Sequence, residues 1–122
     1  MIKPVEIIPL GGLGQFGMNC SLLKYGRDMI MIDSGMAFPR GYQRSIPGVS
    51  LMVPDMGILE RIDAVLQGII LTHGHEDHIG GLAYTLDKIN VPVYGSPLTL
   101  GLARSRLGER NLLNRIRLVP VR

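Results

Sequence analysis

The feature that most constrains this chain is a cluster of histidines. All three histidines of the sequence, His73, His75 and His78, lie within six consecutive positions, and Asp77 lies among them. The cluster directly follows an apolar run of strand length at residues 65–71. Neutral imidazole and carboxylate groups are good zinc ligands. Because residues two apart in an extended loop project to the same side, His73 and His75 can converge on one ion.

The remaining part of the motif favours a second metal ion. Asp77 and His78 are adjacent where the chain turns into a predicted helix, so their side chains can face an ion beside the first. The spacing is therefore more typical of two ions than of one. The competing interpretation, a solvated polar loop, requires three histidines to gather by chance. Glu76 is interpreted as a surface or supporting carboxylate, with general base as the alternative.

The order of apolar segments predicts a mixed α/β fold with layered sheet and helices. Strands are predicted at residues 5–10, 19–24, 29–32, 65–71, 91–94 and 116–121, and helices at 55–61, 82–89 and 97–106. The turn between the second and third strands is short enough to force antiparallel pairing. The run at residues 65–71 lacks alternation of apolar and polar positions, which predicts burial on both faces.

The composition is that of a single globular domain. Hydrophobic residues make up 46% of the chain and charged residues 19%, which argues against disorder. No apolar run approaches the roughly 18 residues that a membrane span requires, and residues 1–6 lack the apolar core of a signal peptide. We therefore expect a cytoplasmic protein without a membrane partner. The single Cys20 is expected to be a buried structural thiol rather than a reactive or metal-binding one.

A basic segment occupies residues 103–122. It holds six arginines against one acidic residue, Glu109, whereas residues 1–102 carry a small negative net charge. One interpretation is a contact with phosphate groups. The alternative, a solvated helix face, is favoured because the arginines alternate with leucines at helical spacing and no aromatic residue lies among them.

The segment THGHEDHIGG at residues 72–81 resembles the signature of the metallo-β-lactamase superfamily. The resemblance implies an αββα sandwich, of which this chain forms the first half. It also implies that His73 and His75 bind one metal ion and that Asp77 and His78 bind the other. Asp77 and His78 are also the expected catalytic residues. Asp33 corresponds to the family's early aspartate after a strand, which supports the metal loop from outside the ligand set. A plain turn carboxylate is the alternative for Asp33.

Within the superfamily the sequence is most similar to the N-terminal part of ribonuclease J, a β-CASP metallo-ribonuclease. The similarity is carried by the metal motif together with the segments at residues 9–19, 38–39, 53–55 and 92–100. A glycine-rich turn alone is weak evidence, but the combination extends over nearly the whole chain up to about residue 101. Gln15 stands where the family leads us to expect glutamate. Any role that the family's negative charge has at this position is therefore not expected in this chain.

The resemblance implies hydrolysis of RNA by a metal-activated water, with two zinc ions in the complete site and manganese as the alternative metal. Four ligands cannot close two zinc sites, since each ion needs three protein groups plus water, and no histidine follows His78. We therefore expect residues 1–122 to be a truncated N-terminal portion of the domain, inactive alone, that binds its missing half or forms an oligomer. Two other interpretations are a hydrolase of the same fold acting on a thioester or lactam, and a non-catalytic metal-binding scaffold that oligomerises.

Overall fold

The apolar segments of the sequence form one six-stranded sheet. The structure is a computed structural model that describes residues 2–122. The strands are β1 (Val5–Gly11), β2 (Cys20–Tyr25), β3 (Asp28–Ile32), β4 (Val65–Ile70), β5 (Val93–Gly95) and β6 (Leu118–Pro120). The α-helices are α1 (Glu76–Ile79), α2 (Leu82–Lys88) and α3 (Pro97–Glu109), and two 3-10 helices lie at Gly41–Ser45 and Met56–Glu60. The predicted mixed α/β fold is confirmed.

The strands lie in the sheet in the same order as in the sequence. β1 pairs antiparallel with β2, and β2 with β3. For β2 and β3, the turn at residues 26–27 is too short for any other pairing. β3 to β6 pair parallel, and their connections carry the helices. Since β3 and β4 run in the same direction, the loops that follow them emerge at the same edge of the sheet. Asp33 and the histidine-rich loop therefore meet there.

One face of the sheet packs against α2 and α3. The side chains of Leu22, Met31 and Ile69 lie on this face and have no exposed surface. Leu86 of α2 and Leu107 of α3 are equally buried and belong to the same cluster. Fully burying a side chain of this size is worth about 1.5–3 kcal/mol. This layer therefore fixes the strands whose ends carry the site.

The opposite face of the sheet is open within residues 2–122. The prediction that residues 65–71 are buried on both faces is wrong, because Ile69 is buried while its neighbour Ile70 is 39% exposed. The helices pack on one side only, so every second side chain of β4 points to solvent. Large hydrophobic side chains exposed on this face are Val5, Ile7, Tyr25, Val65 and Ile70.

Cys20 lies on the helix-covered face, and its expected burial is confirmed because only 2% of the residue is exposed. Burial and the nearby Asp33 carboxylate raise the pKa of the thiol to about 12. The thiol therefore stays protonated near neutral pH and is a poor nucleophile. As for membranes, none of the helices in the described part of the chain is both long and apolar enough to cross a bilayer.

Candidate metal centre

The histidine-rich loop follows β4 and ends in α1, a helix of a single turn. The carbonyl of His75 accepts hydrogen bonds from the backbone N–H groups of His78 and Ile79, both at 2.9 Å. The sequence did not predict this turn, because one turn of helix carries too few residues for a periodic pattern. The turn brings Asp77 and His78 back toward His73.

Three of the four predicted ligands form one cluster. The donor atoms of His73, Asp77 and His78 all lie within 4.8 Å of one another. The ring centroid of His73 is 4.0 Å from that of His78 and 4.7 Å from that of His75. His75 is exposed and stands outside the three-residue cluster. The division into one pair of ligands per ion stays a prediction, since the ring of His73 is close to both other imidazoles.

Asp33, at the end of β3, holds this cluster in place. Its carboxylate, 6% exposed, accepts hydrogen bonds from Thr72 N at 2.8 Å, Thr72 Oγ1 at 2.7 Å and His78 Nδ1 at 2.7 Å. A carboxylate accepts from a ring N–H, so His78 Nδ1 is the donor, and in the neutral imidazole this tautomer keeps the lone pair on Nε2. That Nε2 lies 3.6 Å from Asp77 Oδ2. Carboxylates that accept from the outer nitrogen orient metal-binding imidazoles in this way.

Two residues that the sequence analysis did not single out complete the support. Thr72 Oγ1 donates to Asp33, so it can accept from His73 Nδ1, which lies 3.1 Å away and leaves His73 Nε2 free. Asn19 donates to the Asp77 carbonyl from both its backbone N and its Nδ2, each at 3.0 Å. Thr72 is the first residue of the motif at residues 72–81, so its supporting role could have been predicted from the sequence. Asn19 is 58 residues away from Asp77 in sequence, and no local pattern reveals such a pairing.

Glu76 is bound by α3 rather than by the cluster. Arg106 donates to Glu76 Oε1 from Nε at 2.8 Å and also from Nη2. This hydrogen bond raises the pKa of the Arg106 guanidinium above its usual value. The contact agrees with the interpretation of Glu76 as a supporting carboxylate and disfavours a general base, since a cation occupies its accepting oxygen.

The arginines of the basic segment divide into two groups. Arg106 binds Glu76 of α1, Arg110 lies 3.3 Å from the Asp87 carboxylate of α2, and Arg115 donates to a backbone carbonyl of α2. These three side chains fasten the segment to the helices beside the site. The other arginines of the segment are exposed and form no ion pair with the residues the structure describes: Arg104, Arg117 and Arg122.

The chemistry of the donor set fits a divalent metal ion. His73, Asp77 and His78 supply two imidazoles and one carboxylate, which are the three protein groups of an open zinc site. Manganese accepts the same types of ligand. Within residues 2–122 no second group of three potential ligands gathers as closely.

Known proteins are similar to this chain in sequence and in fold. The family model of the metallo-β-lactamase superfamily matches residues 13–116. Ribonuclease J of Helicobacter pylori is 43% identical over 108 residues, covering 88% of this chain and 15% of that protein. Ribonuclease J of Synechocystis is 39% identical over 120 residues, covering 98% of this chain and 18% of that protein. The chain thus spans less than a fifth of the length of these relatives.

Among solved structures, the metallo-β-lactamase fold protein YhfI from Bacillus subtilis superimposes with a TM-score of 0.56. The two sequences are 17% identical, and the match covers 98% of this chain and 46% of that one. At this identity the likeness establishes the fold alone.

Proposed function

This chain belongs to the metallo-β-lactamase superfamily, and we propose that it carries metal-binding residues of a hydrolase that cleaves RNA phosphodiester bonds. The observation that carries the proposal is the convergence of the donor atoms of His73, Asp77 and His78 within 4.8 Å. Similarity to ribonuclease J supports RNA as the substrate. The chain spans less than a fifth of the length of those proteins, so both the reaction and the substrate are proposed for it.

In this proposal His73, His75, Asp77 and His78 hold the metal, with zinc favoured and manganese as the alternative. A bound ion of this kind supplies Lewis acidity and lowers the pKa of water toward about 7. Asp77 and His78 are the proposed catalytic residues. The four ligands suffice for one ion with three protein groups, so a two-ion site needs donors beyond them.

The protein's own contribution is orientation. Asp33 sets the tautomer of His78, and Thr72 does the same for His73, so both rings present Nε2 without having to rotate. The side chains of His78 and Asp77 keep 21% and 46% of their surface exposed. Hydrogen bonds from Asp33 and Thr72 thus order the ligand side chains, which remain accessible to solvent, as hydrolysis of a polymer requires.

Metal titration tests the ligand assignment. We expect zinc affinity to fall by more than about 100-fold in a His73→Ala, His75→Ala double variant, because two neutral nitrogen donors are removed. Asp63→Ala is the matched control, since Asp63 is an exposed carboxylate paired only with Arg27. Equal zinc uptake by wild type and the double variant refutes the assignment.

A substrate panel tests the reaction. The 122-residue protein, loaded with zinc or manganese, is offered 5′-labelled single-stranded RNA, a thioester and a lactam, first alone and then together with the remaining part of a ribonuclease J metallo-β-lactamase domain. We expect no turnover by residues 1–122 alone, because four ligands cannot complete two zinc sites, and RNA cleavage by the complemented protein that disappears with His78→Ala. Turnover of the thioester or lactam instead of RNA would contradict the proposed substrate, and metal binding without turnover by the complemented protein would support the scaffold interpretation.

The open sheet face supports a proposal on association, since contiguous apolar surface favours contact with another polypeptide. We propose that the chain self-associates through this face, which includes Ile7 and Ile70. Sedimentation should show association that Ile7→Lys with Ile70→Lys abolishes. Leu98→Lys is the control, since Leu98 is 76% exposed on α3. A monomer at every concentration contradicts the proposal.

Two further expectations stay predictions. An RNA substrate is consistent with a cytoplasmic location, which fractionation of cells can test. The assignment of residues 1–122 to the N-terminal portion of a larger domain is likewise a prediction.

A further inference from the structure

Two loops beside the metal centre expose large aromatic side chains. Phe16, in the turn between β1 and β2, is 80% exposed, and Phe38, in the loop after β3, is 68% exposed. These are the only two phenylalanines in the sequence. Exposing an apolar ring costs about 25 cal/mol per Å² of its surface relative to burying it. The core fully buries leucines such as Leu22, Leu86 and Leu107, so the exposure of both phenylalanines beside the metal centre calls for an explanation.

The two rings line one cavity. Its volume is about 310 Å³, at the lower end of the roughly 300–1,000 Å³ typical of small-molecule sites. The cavity also includes Asp77, one of the proposed metal ligands. The other residues along it are Gly17, Met36, Ala37, Arg40 and Glu76. The aromatic cavity, as we call this space, therefore opens directly beside the proposed reaction centre.

Arg40 supplies a cation at this cavity. Its guanidinium carbon lies 5.6 Å from the ring centroid of Phe16, within the range of a cation–π contact. No carboxylate lies within ion-pairing distance of Arg40 anywhere in residues 2–122, in contrast to Arg106 and its partner Glu76. Arg40 is therefore available to an anionic ligand.

The one carboxylate at the cavity besides Asp77 is Glu76, and Arg106 neutralises it from α3. Repulsion of an incoming anion is reduced accordingly. Exposed aromatic faces combined with an unpaired arginine are the elements with which proteins hold single-stranded nucleic acid. Each base stacks on a ring, and the cation contacts the backbone phosphate.

We infer that Phe16, Phe38 and Arg40 form a stacking site for an unpaired base of the RNA strand, immediately next to the metal ligand Asp77. The inference rests on the proposed function, because it takes RNA as the substrate. It also moves the main RNA contact away from the basic segment at residues 103–122, where half of the arginines bind the protein's own helices. A protein partner for the same rings is the competing occupant.

The test measures binding rather than cleavage. Fluorescence anisotropy of a labelled 12-nucleotide oligoadenylate is recorded in EDTA with the 122-residue protein. Since stacking is worth about 1–3 kcal/mol per base, we expect Phe16→Ala and Phe38→Ala each to weaken binding by about 5- to 150-fold. Phe38→Trp should retain binding because it keeps the π face. Arg40→Ala should weaken binding and flatten its dependence on salt concentration.

Tyr42→Ala is the matched control. Tyr42 is 78% exposed in the same loop as Phe38 but does not line the cavity, so its loss should leave the affinity nearly unchanged. An abasic oligomer of the same length should bind to wild type at least as weakly as the RNA binds to Phe38→Ala, because it can stack on neither ring. Circular dichroism confirms that each variant is folded.

Failure of this inference and failure of the proposed function give different results. If wild type, Phe16→Ala and Phe38→Ala bind RNA equally, or if the abasic oligomer binds as tightly as RNA, the stacking site is refuted. If binding depends on the rings but the metal-loaded protein, complemented with the remaining part of the domain, does not cleave RNA, the stacking site stands and the hydrolase proposal falls. Asp63→Ala, at an exposed carboxylate paired only with Arg27, should bind RNA normally in EDTA.

Discussion

The histidine-rich loop and the aromatic side chains of Phe16 and Phe38 both border Asp77, yet they are held very differently. The histidine-rich loop is held by hydrogen bonds: Asp33 accepts three from it, and the carbonyls of Glu76, Asp77 and His78 all accept from backbone N–H groups of other loops. The aromatic side chains, by contrast, stand in solvent. Metal ligands must be fixed in advance to converge, whereas a stacking surface has to accept any base.

The comparison predicts that changes beneath the metal loop are costly for stability and that changes at the aromatic cavity are not. The largest effect is expected at Gly35. A Cβ there would lie 1.7 Å from the Asp77 carbonyl oxygen, and this oxygen belongs to backbone that cannot swing aside. Gly35→Ala should therefore lower the free energy of unfolding by about 3 kcal/mol or more in urea titrations.

Gly101→Ala is the control for that measurement. A Cβ at Gly101 meets nothing within 4 Å, and the position lies inside α3. Alanine should stabilise the helix there by about 0.5–1 kcal/mol. Equal effects of the two substitutions would show that the loop is not packed against Gly35.

The next largest effect is expected at Asp33. Asp33→Asn keeps the shape and tolerates the φ of +61° at this position, but its amide cannot accept all three hydrogen bonds. We expect a loss of about 1–3 kcal/mol in the free energy of unfolding and a fall of about 10- to 100-fold in zinc affinity. Asp55→Asn is the control, because Asp55 is exposed and caps a 3-10 helix through one bond to Gly57 N. An Asp33→Asn protein with wild-type zinc affinity would refute the supporting role.

A smaller effect, dependent on pH, is expected at Cys20. Burial first, and the Asp33 charge second, raise the pKa of this thiol from 9.0 to about 12. Above pH 9 the unfolded chain therefore releases a proton that the folded protein retains, so this contribution to stability is complete below pH 9 and declines as the pH approaches about 12. Between pH 8 and pH 10 wild type should lose about 1 kcal/mol more than Cys20→Ala. Parallel pH profiles would indicate that water reaches the thiol.

The smallest effects are expected at the aromatic cavity. Because both rings are mostly exposed, Phe16→Ala and Phe38→Ala should change the free energy of unfolding by no more than about 0.5 kcal/mol. Thermal and urea unfolding check this directly. A loss of 2 kcal/mol at either position would mean that the ring supports the fold, and the contrast between the two regions would disappear.

Much of this organisation is encoded locally. The histidine motif identified the three residues that converge, His73, Asp77 and His78, but also included His75, which stands outside their cluster. Apolar runs located all six strands to within a few residues, because both signals lie in short stretches of sequence. Two kinds of feature were missed. Contacts such as Asn19 with Asp77 and Arg106 with Glu76 join residues 58 and 30 positions apart. The open side of β4 was also missed, since an apolar run tells which side chains prefer burial but not whether a covering layer is present.

The strand order of the sheet also bears on how the chain acquires its structure. Each strand from β1 to β6 is added beside the one that precedes it in sequence, so the sheet can grow from its first edge outward as the polypeptide leaves the ribosome. By this route the end of β3 and its carboxylate are formed before the histidines emerge. His78 then meets an Asp33 carboxylate that is already in position to accept its hydrogen bond.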